Sequence, residues 1–217
     1  MYSFSTHVIG GRLVEIPRDD EFQVDLPMVK AAIGDRTKAI FLASPNNPTG
    51  NLSPDDMVLS LLEEDILVVI DETYFEFSGH TVAPLVSEHP NLVVLRTLSK
   101  WAGLAGLRLG YGIIDPSLLR ILMDIKQPYN INAAAEVALL ASLKDVAYLR
   151  GNIDALVQER GRLFSRLALI PGISPQPSLG NFLLCDVSGG RAIQVYQGLA
   201  RRGIFVRYFD TPRLRDS

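Results

Sequence analysis

Ile66-Leu67-Val68-Val69-Ile70, followed at once by Asp71-Glu72-Thr73-Tyr74-Phe75-Glu76-Phe77, decides how this chain is read. An unbroken run of Val, Ile and Leu suits a strand buried on both faces, as in a parallel sheet covered by helices. Similar runs occupy residues 39–43, 92–95 and 109–114. Between the first two lies Ser53-Pro54-Asp55-Asp56, which reads as an N-cap with proline at the first helical position. Met57, Leu61 and Leu62 then recur at helical spacing. Strand, helix and strand in this order predict an α/β architecture.

Past Asp115-Pro116 the period lengthens. Leu139, Leu143 and Val146, then Ile153, Leu156, Val157, Leu163, Phe164 and Leu167, recur every three or four residues and predict long amphipathic helices. Gly172 and a proline-rich segment at 171–177 interrupt the chain, after which residues 182–187 read as a strand. Ser188-Gly189-Gly190 leads into a helix carrying Ala192, Val195, Tyr196 and Leu199, and residues 204–207 read as another strand. The pattern divides the chain into a larger unit over 1–150 and a smaller α+β unit over 151–217.

The 217 residues, 47% of them hydrophobic, suffice for a sizeable core. A net charge of −3 with mixed signs gives no broad footprint for nucleic acid or an anionic membrane, so any anion must be held by a local site. The single cysteine, Cys185, allows no internal disulfide and reads as a buried strand thiol in a reducing compartment. No run approaches the roughly 18 apolar residues of a membrane helix, and residues 1–7 lack the features of a signal peptide, so a cytoplasmic location is expected. His7, His80 and His89 show no metal-ligand spacing and read as surface or turn residues.

Ligands of open parallel sheets bind beyond the carboxyl ends of the strands. Three polar motifs fall there: Ser44-Pro45-Asn46-Asn47-Pro48-Thr49-Gly50, the segment starting at Asp71, and Ser99-Lys100 within Thr97-Leu98-Ser99-Lys100-Trp101-Ala102-Gly103-Leu104-Ala105-Gly106-Leu107-Arg108. Singly, the first reads as a turn, the Asp as a helix cap and the lysine as a solvated charge. An amide, a carboxylate and an amine at three successive strand ends point to a shared site.

In these motifs the chain resembles the fold-type I pyridoxal-phosphate aminotransferases, and within them the histidinol-phosphate aminotransferase branch. Pro128-Tyr129-Asn130-Ile131-Asn132, Ser178-Leu179-Gly180-Asn181-Phe182 and Arg202-Gly203-Ile204-Phe205-Val206-Arg207 extend the resemblance over nearly the whole chain. It implies a three-layer sandwich around a mostly parallel sheet, with a smaller C-terminal domain, both incomplete. The implied activity is transfer of the amino group of L-histidinol phosphate to 2-oxoglutarate, giving imidazole acetol phosphate and L-glutamate, by a cytoplasmic homodimer using pyridoxal 5′-phosphate. An aromatic aminotransferase, a phospho-amino-acid decarboxylase, and a non-catalytic scaffold that only binds a partner are the alternatives.

Residue by residue, the resemblance implies that Lys100 carries the cofactor as a Schiff base and then shuttles a proton, work that needs a lysine able to lose its own. Asp71 would face the pyridinium nitrogen, Tyr74 and Asn47 the 3′ oxygen, and Ser99 and Arg108 the phosphate. Asn181, Tyr129 and Asn130 would reach the substrate. Plain alternatives stand beside these: a packed aromatic for Tyr74, a surface ion pair for Arg108, a turn for Asn181 and loop packing for Tyr129 and Asn130. Gly103, Gly106 and Gly110 make no nucleotide fingerprint.

The resemblance further implies that the chain opens at a mid-domain helix. It would then lack an N-terminal arm, a helix-end phosphate turn, a ring-stacking aromatic and a tyrosine given to the partner subunit. It would also close just before the arginine for the substrate α-carboxylate, a role that Arg207, Arg213 and Arg215 do not match. Weakened cofactor binding is the expected consequence.

Overall fold

In the computed structural model, which describes residues 2–217, the four apolar runs form one sheet in the order β1 (Ala39–Ala43), β2 (Leu67–Asp71), β3 (Leu92–Thr97), β4 (Gly110–Ile114). β1 and β2 pair parallel from Ala39↔Leu67 to Ala43↔Asp71, and β2 and β3 pair parallel from Val68↔Leu92 to Asp71↔Leu95. β4 returns antiparallel, with Thr97 opposite Gly110. The α/β architecture is therefore as the sequence implies, with an antiparallel edge on a parallel sheet.

The unbroken apolar pattern of β2 and β3 is explained by burial on both faces. Val68, Ile70, Leu92 and Val94 join Val58, Leu61 and Leu62 of α3 (Asp55–Leu62) in the main core, while Val69 and Val93, pointing the other way, are buried too. Each such side chain contributes about 1.5–3 kcal/mol relative to exposure. This core fixes the sheet whose carboxyl ends carry the three polar motifs.

Around it lie α1 (Tyr2–Val8), α2 (Leu26–Ala32) and the single turn α4 (Phe75–Ser78). Then follow α5 (Pro116–Ile125), α6 (Ala133–Lys144) and the 22-residue α7 (Val146–Leu167), which runs through residue 151 without a break. A two-stranded antiparallel ribbon, β5 (Ile173–Pro175) and β6 (Cys185–Val187), precedes α8 (Ala192–Ala200). α7 packs on both α4 and β5, and so joins the ribbon to the sheet's polar end. Among the described residues no helix is long and apolar enough to cross a membrane.

Three local expectations are corrected. Ser53 does not cap α3: Pro54 holds that position, and the buried Ser53 gives its N–H to Ser44 Oγ at 2.9 Å, tying the helix entry to the β1 loop. Residues 204–207 are not a strand, because Gly203 at φ 76° ends α8 in the left-handed region and Ile204 N–H turns back to Leu199 O at 3.0 Å. The strand expected over 182–187 shortens to β6, and Cys185 on it is only half-buried. His80 lies in the loop after α4, its Nε2 2.9 Å from Asp55 Oδ1.

Candidate active site

Asp71 is the last residue of β2, where pairing to both neighbouring strands stops. Its Oδ1 accepts the Thr73 N–H at 3.0 Å and the Thr73 hydroxyl at 2.6 Å, so the turn after the strand grips one carboxylate oxygen. Oδ2 is left for a donor from elsewhere, and the Tyr2 hydroxyl supplies it. Tyr2 lies on α1 with its ring 4.7 Å from that of Phe41 on β1, so an aromatic from ahead of the sheet does reach Asp71. Burial, followed by the bond and charge of Asp71, pushes the Tyr2 phenol well above its usual range. A lone tyrosine near the start of the chain carries no motif by which it could be placed.

Tyr74 is the residue on which the motifs meet. Its ring is buried, and its hydroxyl accepts Asn47 Nδ2 at 2.9 Å, bridging the β1 loop to the turn after β2. Lys100 Nζ lies 5.9 Å from the Tyr74 ring centroid, and Phe182 meets the ring edge-on at 5.0 Å and 79°. Burial raises the Tyr74 phenol; the Asn47 hydrogen bond lowers it and the Asp71 charge raises it further. Four sequence-derived positions, Asn47, Asp71, Tyr74 and Lys100, thus converge, with Asn181 next to Phe182.

The β1 loop holds its shape through its own polar groups. Asn46 Nδ2 donates to Thr49 Oγ1 at 2.7 Å, Thr49 reaches Asn51, and Asn51 Nδ2 donates to Phe22 O at 2.8 Å. Gly50 has φ 78°, and a Cβ there would fall 2.3 Å from Ser178 Oγ; only glycine admits this approach. Leu179 N–H donates to Gly50 O at 2.8 Å, bringing the segment that carries Asn181 against the loop that carries Asn47.

Lys100 is exposed, and among the described residues its amine has no hydrogen-bond or ion-pair partner. Ser99 Oγ lies 2.8 Å from Thr97 Oγ1, which also accepts the Ser99 N–H at 3.1 Å. Thr97 Oγ1 also lies 3.0 Å from Leu109 O, so its single proton has two acceptors to serve, that carbonyl and Ser99 Oγ. Leu98 N–H bonds Leu109 O at 3.2 Å, setting this loop against the residue after Arg108. Arg108 itself is exposed, holds φ 59°, and gives its guanidinium to Ala105 O at 2.9 Å. A non-glycine residue in the left-handed region marks local constraint.

Tyr129 and Asn130 are not brought to this cluster. Tyr129 is 94% exposed, and Asn130 Oδ1 instead accepts Lys126 Nζ at 2.8 Å in the connection between α5 and α6.

The donor set fits pyridoxal phosphate. A carboxylate oxygen that takes an outside proton donor suits a protonated ring nitrogen, and a phenol already accepting from Asn47 keeps its own proton for a ring oxygenate. An amine without another partner stands over the same tyrosine.

The fold and this cluster define a class of protein. The family described as aminotransferase class I and II matches residues 1–217, and the chain belongs to it. Among curated relatives, the histidinol-phosphate aminotransferase of Roseiflexus castenholzii is 48% identical over 220 residues, covering 100% of this chain and 59% of the relative. That of Dehalococcoides mccartyi strain CBDB1 is 40% identical over 216 residues, covering 100% and 60%. Among solved structures, histidinol-phosphate aminotransferase from Sinorhizobium meliloti in complex with pyridoxal-5′-phosphate superposes with a TM-score of 0.87 at 30% identity, covering 99% of this chain and 61% of that one. The chain spans about three fifths of the length of the curated relatives it matches.

Glu76, within the same turn, is less expected. Its Oε2 is buried without a partner among the described residues, and burial raises its carboxyl to about 7, against the lowering by its own backbone bond and by Arg96. A folded-state value above the unfolded one favours the fold while the group is protonated; that contribution is complete below about 4.5 and is lost as pH rises through about 7. Glu76→Gln should therefore melt close to the parent at pH 4.5 and higher than it at pH 8, by about 2–4 °C, in a thermal scan by circular dichroism. A gap that is constant with pH would contradict the assignment.

Proposed function

We propose that this chain supplies the cofactor-binding core of a pyridoxal-phosphate-dependent histidinol-phosphate aminotransferase, moving the amino group of L-histidinol phosphate to 2-oxoglutarate. The observation that carries the reading is the meeting of Asn47, Asp71 and Lys100 at Tyr74, within a chain 48% identical to a relative of that name. The bound cofactor supplies an electron-accepting ring that lowers the cost of removing the substrate α-proton.

The residues divide the rest of the work. Lys100 would hold the cofactor through its amine, and its Nζ, when free, would accept the proton from the substrate α-carbon and pass it on. Asp71 holds a proton on the ring nitrogen, its Oδ1 already braced by Thr73. Tyr74, steadied by Asn47, donates to the 3′ oxygen. Ser99 and Arg108 take the phosphate, Arg108 by rotating off Ala105 O. Asn181, beside the Phe182 that touches Tyr74, faces the substrate.

Residues 1–150 form the cofactor-binding unit in this reading and 151–217 the smaller one. Tyr129 and Asn130 would reach substrate only across an interface with a second copy. The exposed apolar side chains Ile121, Met123 and Ile125 of α5 and Val137 and Leu140 of α6 favour such a homodimer. A single cysteine fits a cytoplasmic setting.

A coupled assay for L-glutamate, with L-histidinol phosphate or aromatic amino acids as donors and pyridoxal phosphate added, tests the reading. Glutamate formation from histidinol phosphate, at a kcat/KM at least about tenfold above that for phenylalanine, is expected. Turnover confined to aromatic donors, or release of carbon dioxide from a phosphorylated amino acid, would contradict it.

A further inference from the structure

Asp71 ends β2 within the strand ladder, whereas Tyr74 acts from the turn that follows, so contacts besides the ladder must hold that turn. Paired positions of β2 end at Asp71; one further backbone bond, from Glu72 N–H to Leu95 O at 2.8 Å, ties the chain to β3, and the turn begins there. The Glu72 side chain points away from the site into the protein and is 2% exposed. There its carboxylate meets Arg96 of β3, with Oε2 2.9 Å from Nε and 2.8 Å from Nη2. Thr81 donates its hydroxyl to the same carboxylate at 2.8 Å, and the Val82 N–H reaches Oε1 at 2.8 Å.

The clamp closes on the turn from a second side. Arg96 lays its guanidinium 3.6 Å from the Phe75 ring centroid and donates from Nη2 to Thr81 Oγ1 at 2.6 Å. The Phe75 N–H bonds Glu72 O at 3.0 Å. Glu72 and Phe75, which bracket the turn, are thus both fixed by one arginine on the neighbouring strand.

We propose that Glu72 is a positioning residue: clamped by Arg96, Thr81 and Val82, it holds the turn so that Asp71 and Tyr74 present their oxygens to the cofactor ring. The consequence for the cofactor rests on the pyridoxal-phosphate reading above. Catalytic groups need placement to within about 0.5 Å, and a charged network in a buried setting supplies the stiffness that a lone turn lacks. Glu72 touches neither cofactor nor substrate and acts through its neighbours.

The test uses three proteins: the parent, Glu72→Gln, and Glu72→Gln/Arg96→Met, the last removing both charges so that neither is left buried alone. Thermal midpoint, affinity for pyridoxal phosphate and the pH midpoint of the bound cofactor's visible absorbance are read for each. In the double variant the thermal midpoint should stay within about 4 °C of the parent. Its cofactor affinity should fall about tenfold, and the absorbance midpoint should move by about half a pH unit, because the donors around the ring are no longer fixed. A folded double variant with unchanged affinity and midpoint overturns the proposal. If the double variant does not fold, Thr81→Val carries the test, with a smaller shift of the same midpoint expected and no shift overturning it. A parent that develops no visible band with pyridoxal phosphate refutes the functional reading itself and this proposal with it.

Discussion

If the proposed reading holds, Lys100→Ala is expected to lower transamination by about 10³-fold or more and to remove the visible absorbance of lysine-bound pyridoxal phosphate while the fold persists. The size of the effect follows from the two jobs assigned to one amine: anchoring the cofactor and carrying the proton. The persistence of the fold follows from its setting. Lys100 is exposed and makes no hydrogen bond or ion pair among the described residues, so its removal leaves no buried group unpaired. Added methylamine should restore part of the turnover by replacing the proton carrier. Unaltered absorbance in the alanine variant would assign the cofactor to another amine.

The second large effect is expected at Asp71, with a different signature. Asp71→Asn keeps the length of the side chain and an acceptor for the Thr73 N–H and hydroxyl, so the turn after β2 survives. The negative charge that would keep a ring nitrogen protonated is gone. Turnover should fall by about 10²–10³-fold while cofactor affinity falls less than about tenfold, a split visible in kcat against the cofactor titration. An equal loss in both would make Asp71 a binding group alone. Asp71→Ala, which also frees the Thr73 donors, should lower the thermal midpoint as well.

The apolar runs at 66–70 and 92–95 made the sheet legible, because burial on both faces leaves an unbroken pattern that α3 then explains. The Asn47, Asp71 and Lys100 motifs were legible because strand ends in such sheets gather on one side. Tyr2 was not, since its contact with Asp71 spans 69 residues and rests on where α1 docks. Phe182 read as the start of a strand, yet it turns its edge onto Tyr74; a period-two apolar pattern does not distinguish pairing with a strand from packing on an aromatic. Residues 204–207 misled for the opposite reason: their composition suits a strand, but Gly203 closes α8 with Ile204 and no neighbouring strand is present to pair with them among the described residues. Glu72 and Glu76, two carboxylates of one motif, fared differently because only packing reveals which meets Arg96 and which has an oxygen without a partner among the described residues.

Borohydride reduction in the presence of pyridoxal phosphate, followed by peptide mass mapping, tests the central claim most directly, since it fixes the transient bond between amine and cofactor as a stable secondary amine. The adduct is expected on Lys100, in competition with Lys30, Lys38, Lys126 and Lys144, and it should vanish in Lys100→Ala. Label spread evenly over the five lysines, or concentrated on any of the other four, would contradict it.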